Sequence, residues 1–228
     1  MNIGILSIGV FLPEGIRTND WWSKDVVASW EQKKENFLAT LTPKTKGEQM
    51  VANAFANTAD DPFAGSRERR IAPESMSGTQ MEALAVRNLF QNSALSPSRT
   101  GALLCHTTVP DHLITNHACT VHESAGLPSR CFSIAVESAC SSFLHQLALA
   151  EGLILSGRVD NVLLTQSCLF TRLIVNSRRH SPWFGDGATA VLVGKVPEGR
   201  GILGTAHRTD GKLQDLSLIH ISEPTRPY

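Results

Sequence analysis

The sequence predicts an α/β fold in which helices cover a mostly parallel β-sheet. Strand-like and helix-like patterns alternate between residues 76 and 167, and such alternation typically gives parallel strands joined by helices. The segment GALLCHT, at residues 101–107, has no polar alternation, which predicts a strand with both faces buried. The helix that follows residue 141 is apolar on all sides, as expected of a helix held between two layers.

The individual elements can be placed in order along the chain. Strands are predicted at residues 3–12, 101–107, 132–136, 159–166, 189–193 and 201–207, and helices at 20–30, 77–90, 115–126 and 141–156. Ser77 or Thr79 can cap the second helix, and Thr115 or Asn116 the third. Residues 31–66 are polar and irregular, so we expect a surface excursion with short helices there.

Composition and charge narrow the class of protein. The chain has 228 residues, 42% of them hydrophobic, and 21 basic residues balance 21 acidic ones. This balance gives no general attraction to nucleic acid or to a membrane surface. No apolar run approaches the roughly 20 residues that span a bilayer, and the apolar start lacks the basic region of a signal peptide. We therefore expect a cytoplasmic protein with neither nucleic acid nor membrane as a partner.

Cys140 is the candidate nucleophile because it lies at the turn between a strand and the long apolar helix. Free N–H groups and the dipole at a helix start favour an anion, and hence a reactive thiolate. Most buried cysteines are inert packing residues, so position alone leaves both interpretations open. The other cysteines are Cys105, Cys119, Cys131 and Cys168, and their spacing predicts no zinc site.

The order of motifs resembles the β-ketoacyl-acyl-carrier-protein synthase III group of the thiolase superfamily. The motifs are an N-terminal strand ending in LP, RERRIAPESMS at 67–77, HACTVHESAGLPSRCFSIAVESACSSF at 117–143, FGDGATAVL at 184–192 and GILGTAHRTDG at 201–211. The resemblance implies a thiolase-like αβαβα sandwich built from two similar halves. Of these, the chain would hold the N-terminal half, at 1–200, and the first strand of a truncated C-terminal half, at 201–215.

The resemblance also implies a reaction. Cys140 would take an acyl group from a thioester, and the enolate left when a malonyl thioester loses CO₂ would attack the acyl-enzyme. The Cys140 N–H would serve as a donor to the developing oxyanion. The implied setting is fatty-acid or polyketide-type biosynthesis, with acyl-CoA or acyl-carrier-protein thioesters as substrates, no other cofactor and no metal. Acyl carrier protein and a second copy of the chain, in a homodimer, are the implied partners.

Further site residues follow from the same comparison of motifs. Arg178 or Arg179 would match a basic residue that touches the nucleotide phosphates, and we take Arg178 as the substrate-binding candidate. Gly185, Asp186 and Gly187 are predicted to form a structural turn near the active site.

Two departures from the family pattern concern the acyl donor and the second reaction step. The family has a Trp and an Arg before its RER segment, where they contact the CoA adenine, whereas Ala59 and Phe63 stand near those positions here. This leaves room for a carrier-protein donor. The family draws the His and Asn of the decarboxylation step from its second half, and we predict no catalytic base among the histidines of this chain.

Three alternatives stay open at the level of the sequence. The protein could be a thiolase-fold acyltransferase without decarboxylation, a non-catalytic scaffold partner, or a fragment that is inactive as it stands. Residues 216–228, LSLIHISEPTRPY, resemble a translated sequencing adapter and are predicted to be an artefact. The natural reading frame is then expected to continue past Asp215.

Overall fold

The computed structural model describes residues 2–40, 42–57 and 61–213. The strands in this part of the chain are β1 (Asn2–Phe11), β2 (Gly15–Thr18), β3 (Glu68–Ile71), β4 (Ala102–Thr107), β5 (Phe132–Ala135), β6 (Asn161–Leu169) and β7 (Asp186–Val196). The α-helices are α1 (Lys24–Thr40), α2 (Lys46–Asn57), α3 (Gly78–Gln91), α4 (Ala118–Ser124), α5 (Ser142–Leu155) and α6 (Phe170–Leu173). Short 3-10 helices lie at Asn19–Trp21, Pro97–Arg99, Ala139–Ser141, Ser181–Trp183 and Gly211–Leu213. The adapter-like tail falls outside the described residues.

Five strands form one mixed sheet in the order β1-β7-β6-β4-β5. β4 pairs in parallel with both β5 and β6, whereas β7 runs antiparallel to β6 and to β1. β2 and β3 pair with each other as an antiparallel ribbon. The predicted α/β class is therefore confirmed, but the sheet is mixed rather than mostly parallel, because two of its four strand pairings are antiparallel.

The sheet is packed on both faces, and β4 shows this most clearly. All six of its residues are buried, as its unbroken apolar pattern predicts. Leu103 and Cys105 join a core cluster with residues of α3 and α4, while Ala102 and Leu104 join a second cluster with residues of α5. Alternate side chains of one strand thus serve two layers, because successive side chains point to opposite faces of a sheet.

The start of α3 follows its sequence signal. Ser77 caps the helix, with its hydroxyl accepting the Gln80 N–H at 3.2 Å. The Gln80 side chain in turn accepts the Ser77 N–H at 2.9 Å. This reciprocal pair is a capping box, which satisfies two otherwise free N–H groups.

Helix α5 is covered on one side only in the described part of the chain. Its buried residues are Ser142, Gln146, Ala150 and Ile154, which recur every four positions and form one narrow stripe. The opposite face carries exposed leucines, among them Leu144 at 62% exposure. The prediction of a helix between two layers is therefore wrong for these residues, because an all-round apolar helix needs two partners and only the five-stranded sheet packs against α5 in the described part of the chain.

Three other expectations differ from the structure. Helix α1 runs from Lys24 to Thr40, so the segment after residue 30 is less irregular than predicted. The alternating bulk of residues 132–136 predicts a half-buried strand, but β5 is an edge strand, and Phe132 and Ile134 are exposed. Residues 201–207 form no strand, because a single backbone hydrogen bond, from Ile202 to Ile3, ties this segment to the sheet. None of the described helices combines the length and the apolar character that crossing a membrane requires.

Candidate active site

The carboxyl ends of β4, β5 and β6 meet beside the start of β7 and surround a cavity of about 910 Å³. Its lining includes His106 near the end of β4, Cys140 after β5 and Cys168 near the end of β6. The crevice outside the carboxyl ends of parallel strands is the usual ligand site of an open α/β sheet. The topology therefore directs the search for function to this cavity.

Cys140 lies in the 3-10 helix Ala139–Ser141, immediately before α5, as the sequence predicts for a thiol at the start of that helix. The residue is exposed and lines the cavity. Ala139 has φ +47°, a left-handed conformation that costs a residue with a Cβ about 1–2 kcal/mol. The tight turn thus holds the thiol at the cavity wall at a conformational cost.

The N–H groups around Cys140 are almost all engaged within the turn. Those of Ser138, Ala139 and Ser141 donate to acceptors in the same segment at 2.9, 2.7 and 3.0 Å. The Cys140 N–H donates to no group among the described residues. It is therefore the donor that remains for an oxygen bound next to the sulfur, which is the requirement of an oxyanion hole.

A histidine and a glutamate face each other beside this turn. Nδ1 of His106 lies 3.1 Å from Oε2 of Glu137, at an angle that does not make a hydrogen bond, so the contact is one of charge when the imidazole is protonated. The His106 side chain is 10% exposed and that of Glu137 70%. Oε1 of Glu137 accepts the Ala139 N–H at 2.7 Å. One carboxylate thus joins β4 to the Cys140 turn.

The strand register produces this contact. Cys105 of β4 is opposite Ala135 of β5, and the Val136 N–H donates to the Cys105 carbonyl at 2.8 Å. His106 is the next residue of β4, and Glu137 stands two positions after the end of β5, so the two side chains meet at this edge of the sheet. The sequence analysis missed this pair, although His106 lies near the end of one predicted strand and Glu137 directly follows another, where site residues collect.

A second histidine, His117, also lines the cavity. Burial lowers its pKa, and the neighbouring His106 adds to this effect, so the ring is neutral at pH 7. Its Nε2 is buried without a hydrogen-bond partner among the described residues. His117 therefore offers no charge to balance another group of the site.

His117 also belongs to the one group with metal-ligand geometry in the described part of the chain. One ligand atom from each of Glu82, Cys105 and His117 lies within 4.8 Å of the others. The two oxygens of Glu82, however, already accept the hydroxyls of Thr165 and Ser167, and burial raises the pKa of this carboxyl to about 7. The donors fit a buried hydrogen-bond network better than a cation, and the absence of a metal stays a prediction.

Cys168 places a second thiol in the same cavity. Burial raises its pKa, and its Sγ lies 3.7 Å from the carbonyl oxygen of Gly185. The thiol form is therefore favoured, and a protonated thiol is a weak nucleophile.

Gly185, Asp186 and Gly187 line the cavity, but they do not form the predicted turn. Asp186 and Gly187 are the first residues of β7 and pair with β6. A Cβ at Gly185 would lie 3.0 Å from the Arg70 carbonyl oxygen, and one at Gly187 would lie 3.2 Å from a Leu12 methyl group. These glycines allow close approach of neighbouring segments. This close approach, rather than a turn, accounts for glycine at both positions.

The loop that follows α6 is fastened by two indole groups. Nε1 of Trp22 donates to the Asn176 carbonyl at 2.9 Å, and Nε1 of Trp30 donates to the Ser177 carbonyl at 2.6 Å. Both tryptophans are buried, at 5% and 1% exposure. Trp22 and Trp30 are therefore packing residues, while Trp21, at 49% exposure, lies on the surface.

Arg178 lies in this fastened loop and does not line the cavity. Its N–H donates to the Val175 carbonyl at 2.9 Å. Phe63 packs against Trp22, with ring centroids 5.9 Å apart, and Ala59 falls outside the described residues. A role for Arg178 in binding substrate stays a prediction.

Fold and site together define a thiolase-like chain with a cysteine at the start of its central helix. The family model described as 3-oxoacyl-[acyl-carrier-protein] synthase III matches residues 134–211. The chain is thus similar to the 3-oxoacyl-[acyl-carrier-protein] synthases III, and the resemblance seen in the motifs is confirmed.

Individual relatives agree with this assignment. A β-ketoacyl-acyl-carrier-protein synthase III of Bacillus cereus is 28% identical over 212 residues, which cover 92% of this chain and 59% of the relative. That of Caldanaerobacter subterraneus is 30% identical over 210 residues, which cover 91% of this chain and 55% of the relative. The chain therefore spans less than two thirds of the length of these relatives.

Solved structures give the same result. The crystal structure of a 3-oxoacyl-(acyl-carrier-protein) synthase III superposes with a TM-score of 0.72 at 25% identity, covering 93% of this chain and 56% of that one. The synthase III of Thermus thermophilus gives a TM-score of 0.63 at 27% identity, covering 87% of this chain and 53% of that one. The predicted thiolase-like fold is confirmed for the described residues.

Proposed function

We propose that the whole protein is a β-ketoacyl-acyl-carrier-protein synthase III-type condensing enzyme, an acyltransferase that carries its acyl group on Cys140. The observation that carries the proposal is the geometry of the Cys140 turn. At the wall of the cavity, the turn presents the Cys140 thiol beside the Cys140 backbone N–H, which donates to no described group. A thioester substrate needs a soft nucleophile and a donor for the oxyanion. The turn supplies both.

The first step is acyl transfer onto the sulfur. The Cys140 thiolate attacks the thioester carbonyl carbon, and the oxygen gains negative charge as the tetrahedral intermediate forms. A single well-placed donor to such an oxygen changes the rate by about 10²–10³-fold, and the Cys140 N–H is placed to act as one. Collapse of the intermediate expels the thiol of the carrier and leaves the acyl-enzyme.

The cavity suits an acyl chain. Its lining includes apolar side chains from several elements: Val10, Leu12, Phe143, Phe170 and Leu173. A volume of about 910 Å³ lies within the range of sites that enclose small ligands, roughly 300–1,000 Å³. An acyl group bound to Cys140 would lie against this apolar lining.

The second step is the condensation itself. A malonyl thioester loses CO₂, and the resulting enolate carbon attacks the acyl carbon, so that the Cys140 thiolate leaves and a β-ketoacyl thioester forms. The His and Asn that the resemblance implies for this step have no counterpart assigned in this chain. Acyl carrier protein and acyl-CoA are the proposed thioester sources, in a cytoplasmic homodimer.

Mass spectrometry tests the nucleophile. The full-length protein, incubated with octanoyl-N-acetylcysteamine thioester, should gain one octanoyl group. Cys140→Ala should lose the adduct, while Cys119→Ala, which removes an exposed thiol away from the cavity, should keep it. An adduct that persists in Cys140→Ala would refute the proposal. Addition of malonyl-N-acetylcysteamine should then release CO₂; transfer without CO₂ would indicate an acyltransferase that does not condense.

A further inference from the structure

The cavity holds a second thiol that the proposed chemistry does not use. Cys140 lies in the turn before α5, Cys168 lies near the end of β6, and both line the cavity. We propose that these two cysteines form a redox-sensitive modification site, in which a peroxide oxidises Cys140 and Cys168 then closes a disulfide with it. The inference goes beyond the proposed function, because it requires the two thiols and not an acyl group.

The contact between α5 and β6 shows which face of the sheet Cys168 occupies. Nε2 of Gln146, on α5, donates to the Thr165 carbonyl at 3.4 Å, and Nε2 of Gln166 donates to Oε1 of Gln146. Gln166 and Cys168 are two positions apart on β6, so their side chains point to the same face of the sheet. Cys168 therefore lies on the face that α5 covers.

The directions of α5 and β6 bring Cys168 level with the start of the helix. β5 and β6 run in the same direction, and α5 returns from the carboxyl end of β5 to the amino end of β6. One turn back from Gln146 is Ser142, about 6 Å along the helix. Two residues on from Gln166 is Cys168, about 6.6 Å along the strand in the same direction. Cys168 thus lies beside the first turn of α5, which directly follows the turn that holds Cys140.

The charges around Cys168 agree with this placement. Burial is the main cause of its raised pKa, and the negative charges of Asp186 and of the Cys140 thiolate raise the pKa further. Charges in a protein act strongly on one another only at short range. Cys168 therefore stays a thiol, while the exposed Cys140 meets an oxidant first.

The other three cysteines are not placed to compete for Cys140. Cys105 and Cys131 are buried in the core cluster that includes residues of α3 and α4. Cys119 is exposed, but it does not line the cavity. Cys168 is the thiol that shares the cavity with Cys140.

The reaction balances with a peroxide as the oxidant. The Cys140 thiolate attacks one oxygen of hydrogen peroxide, the O–O bond breaks and hydroxide leaves, so that the sulfur is oxidised to a sulfenic acid. The Cys168 sulfur then attacks the sulfenic sulfur, and the S–O bond breaks. The departing hydroxide takes the Cys168 proton and leaves as water. A thiol reductant reverses the change by attack on the disulfide.

Peptide mapping of the full-length protein tests the inference. The protein is treated with hydrogen peroxide, blocked with N-ethylmaleimide and digested without reduction. Cleavage after Arg and Glu separates Cys131 from Cys140, because Glu137 lies between them. The expected product joins peptide 138–151 to peptide 159–172. Its mass should be about 2 Da below the sum of the two, because two hydrogens are lost, and dithiothreitol should separate them.

Variants separate a resolving thiol from a bystander. Cys168→Ser and Cys168→Ala remove the second sulfur, so Cys140 should proceed to sulfinic acid, a gain of about 32 Da. Cys119→Ser, at an exposed thiol outside the cavity, should give as much disulfide as the wild type. Sulfinic acid on wild-type Cys140 at the same peroxide dose would overturn the inference, as would a bond from Cys140 to any other cysteine.

The disulfide and the proposed acyl transfer can fail independently. A wild type that forms the disulfide but takes no octanoyl group would support this inference and refute the proposed function. Where both hold, the oxidised protein should take up no octanoyl group until dithiothreitol releases the Cys140 sulfur. Octanoylation of Cys140 in the fully oxidised protein, before reduction, would contradict the pairing.

Discussion

The Asp186 carboxylate accepts two hydrogen bonds from Thr171, one from the hydroxyl at 2.7 Å and one from the N–H at 3.3 Å. It also accepts the Ala72 N–H at 2.9 Å, and the residue is only 4% exposed. One side chain therefore joins the start of β7, helix α6 and the segment after β3. All three border or support the cavity wall.

Replacing Asp186 by Asn should destabilise the fold. An amide offers one acceptor oxygen where the carboxylate offers two, so a buried donor loses its partner, at a cost of about 1–3 kcal/mol in the free energy of unfolding. Urea denaturation of the chain should show a lower midpoint with an unchanged slope. Asp160→Asn is the control, because the Asp160 side chain is 90% exposed and its charged contact, to Lys195, is long at 4.0 Å. Equal midpoints for the two variants would contradict the argument.

Glu82 should make stability depend on pH in an unusual direction. Burial raises its pKa from 4.5 to about 7, so the folded state binds this proton more tightly than the unfolded state. The contribution of this group to the free energy of unfolding is fully present below about pH 4.5 and declines as the pH rises towards 7. At about 1.4 kcal/mol per pKa unit, the change is up to about 3 kcal/mol.

Glu82→Gln should remove this dependence. Chemical denaturation at a series of pH values between 4 and 8 should give a flatter profile for the variant than for the wild type, because glutamine does not titrate. The exposed Glu123 of α4 offers a control, since Glu123→Gln should leave the wild-type profile in place. Parallel profiles for Glu82→Gln and the wild type would show that the carboxyl is not held protonated.

Gly9 allows α3 to lie directly on β1. A Cβ at this position would fall far inside van der Waals contact with backbone atoms of Ala85 and Leu89. Gly9→Ala should lower the free energy of unfolding by about 1–3 kcal/mol, as overpacking does. Gly152→Ala should act in the opposite direction by about 0.5–1 kcal/mol, because a Cβ in that helical position meets no described atom within 4 Å. Thermal melts of both variants measure the contrast, and destabilisation of the same size at both sites would contradict it.

The fold should tolerate glycine at position 139 better than valine. At φ +47° glycine has no Cβ to strain, whereas a β-branched side chain is strongly disfavoured. Ala139→Val should therefore cost more unfolding free energy than Ala139→Gly, by at least ~1 kcal/mol. At the exposed helical position Ala28 the order should reverse, since glycine is the poorer helix former. The same order at both positions in denaturant titrations would disprove a left-handed Ala139.

Much of the fold can be predicted from local sequence patterns. The buried strand β4 follows from its unbroken apolar run, and the start of α3 follows from a serine with a glutamine three residues later. Helix α1 was harder, because its second half is polar and has no apolar period. Residues 201–207 were predicted as a strand from composition, although strand formation depends on a partner that local sequence does not specify.

The candidate site likewise has one part that local sequence predicts and other parts that it does not. Cys140 could be predicted because a strand, a turn and an apolar helix meet there within a few residues. The contact between His106 and Glu137 joins residues 31 positions apart and depends on the parallel register of β4 and β5. The hydroxyl groups that surround Glu82 come from β6, more than 80 residues away. Such contacts follow from topology, which no local pattern encodes.

The two indole hydrogen bonds to the loop after α6 provide an optical reporter. Indole emission shifts when a buried ring gains or loses a polar neighbour, and Trp22 and Trp30 each donate to a carbonyl of this loop. Displacement of the loop by an incoming thioester would alter the emission of both rings. Because Trp21 and Trp183 are about half exposed, a water-soluble quencher would suppress their signal first. The remaining fluorescence would follow the loop that carries Arg178 in real time, without any added label.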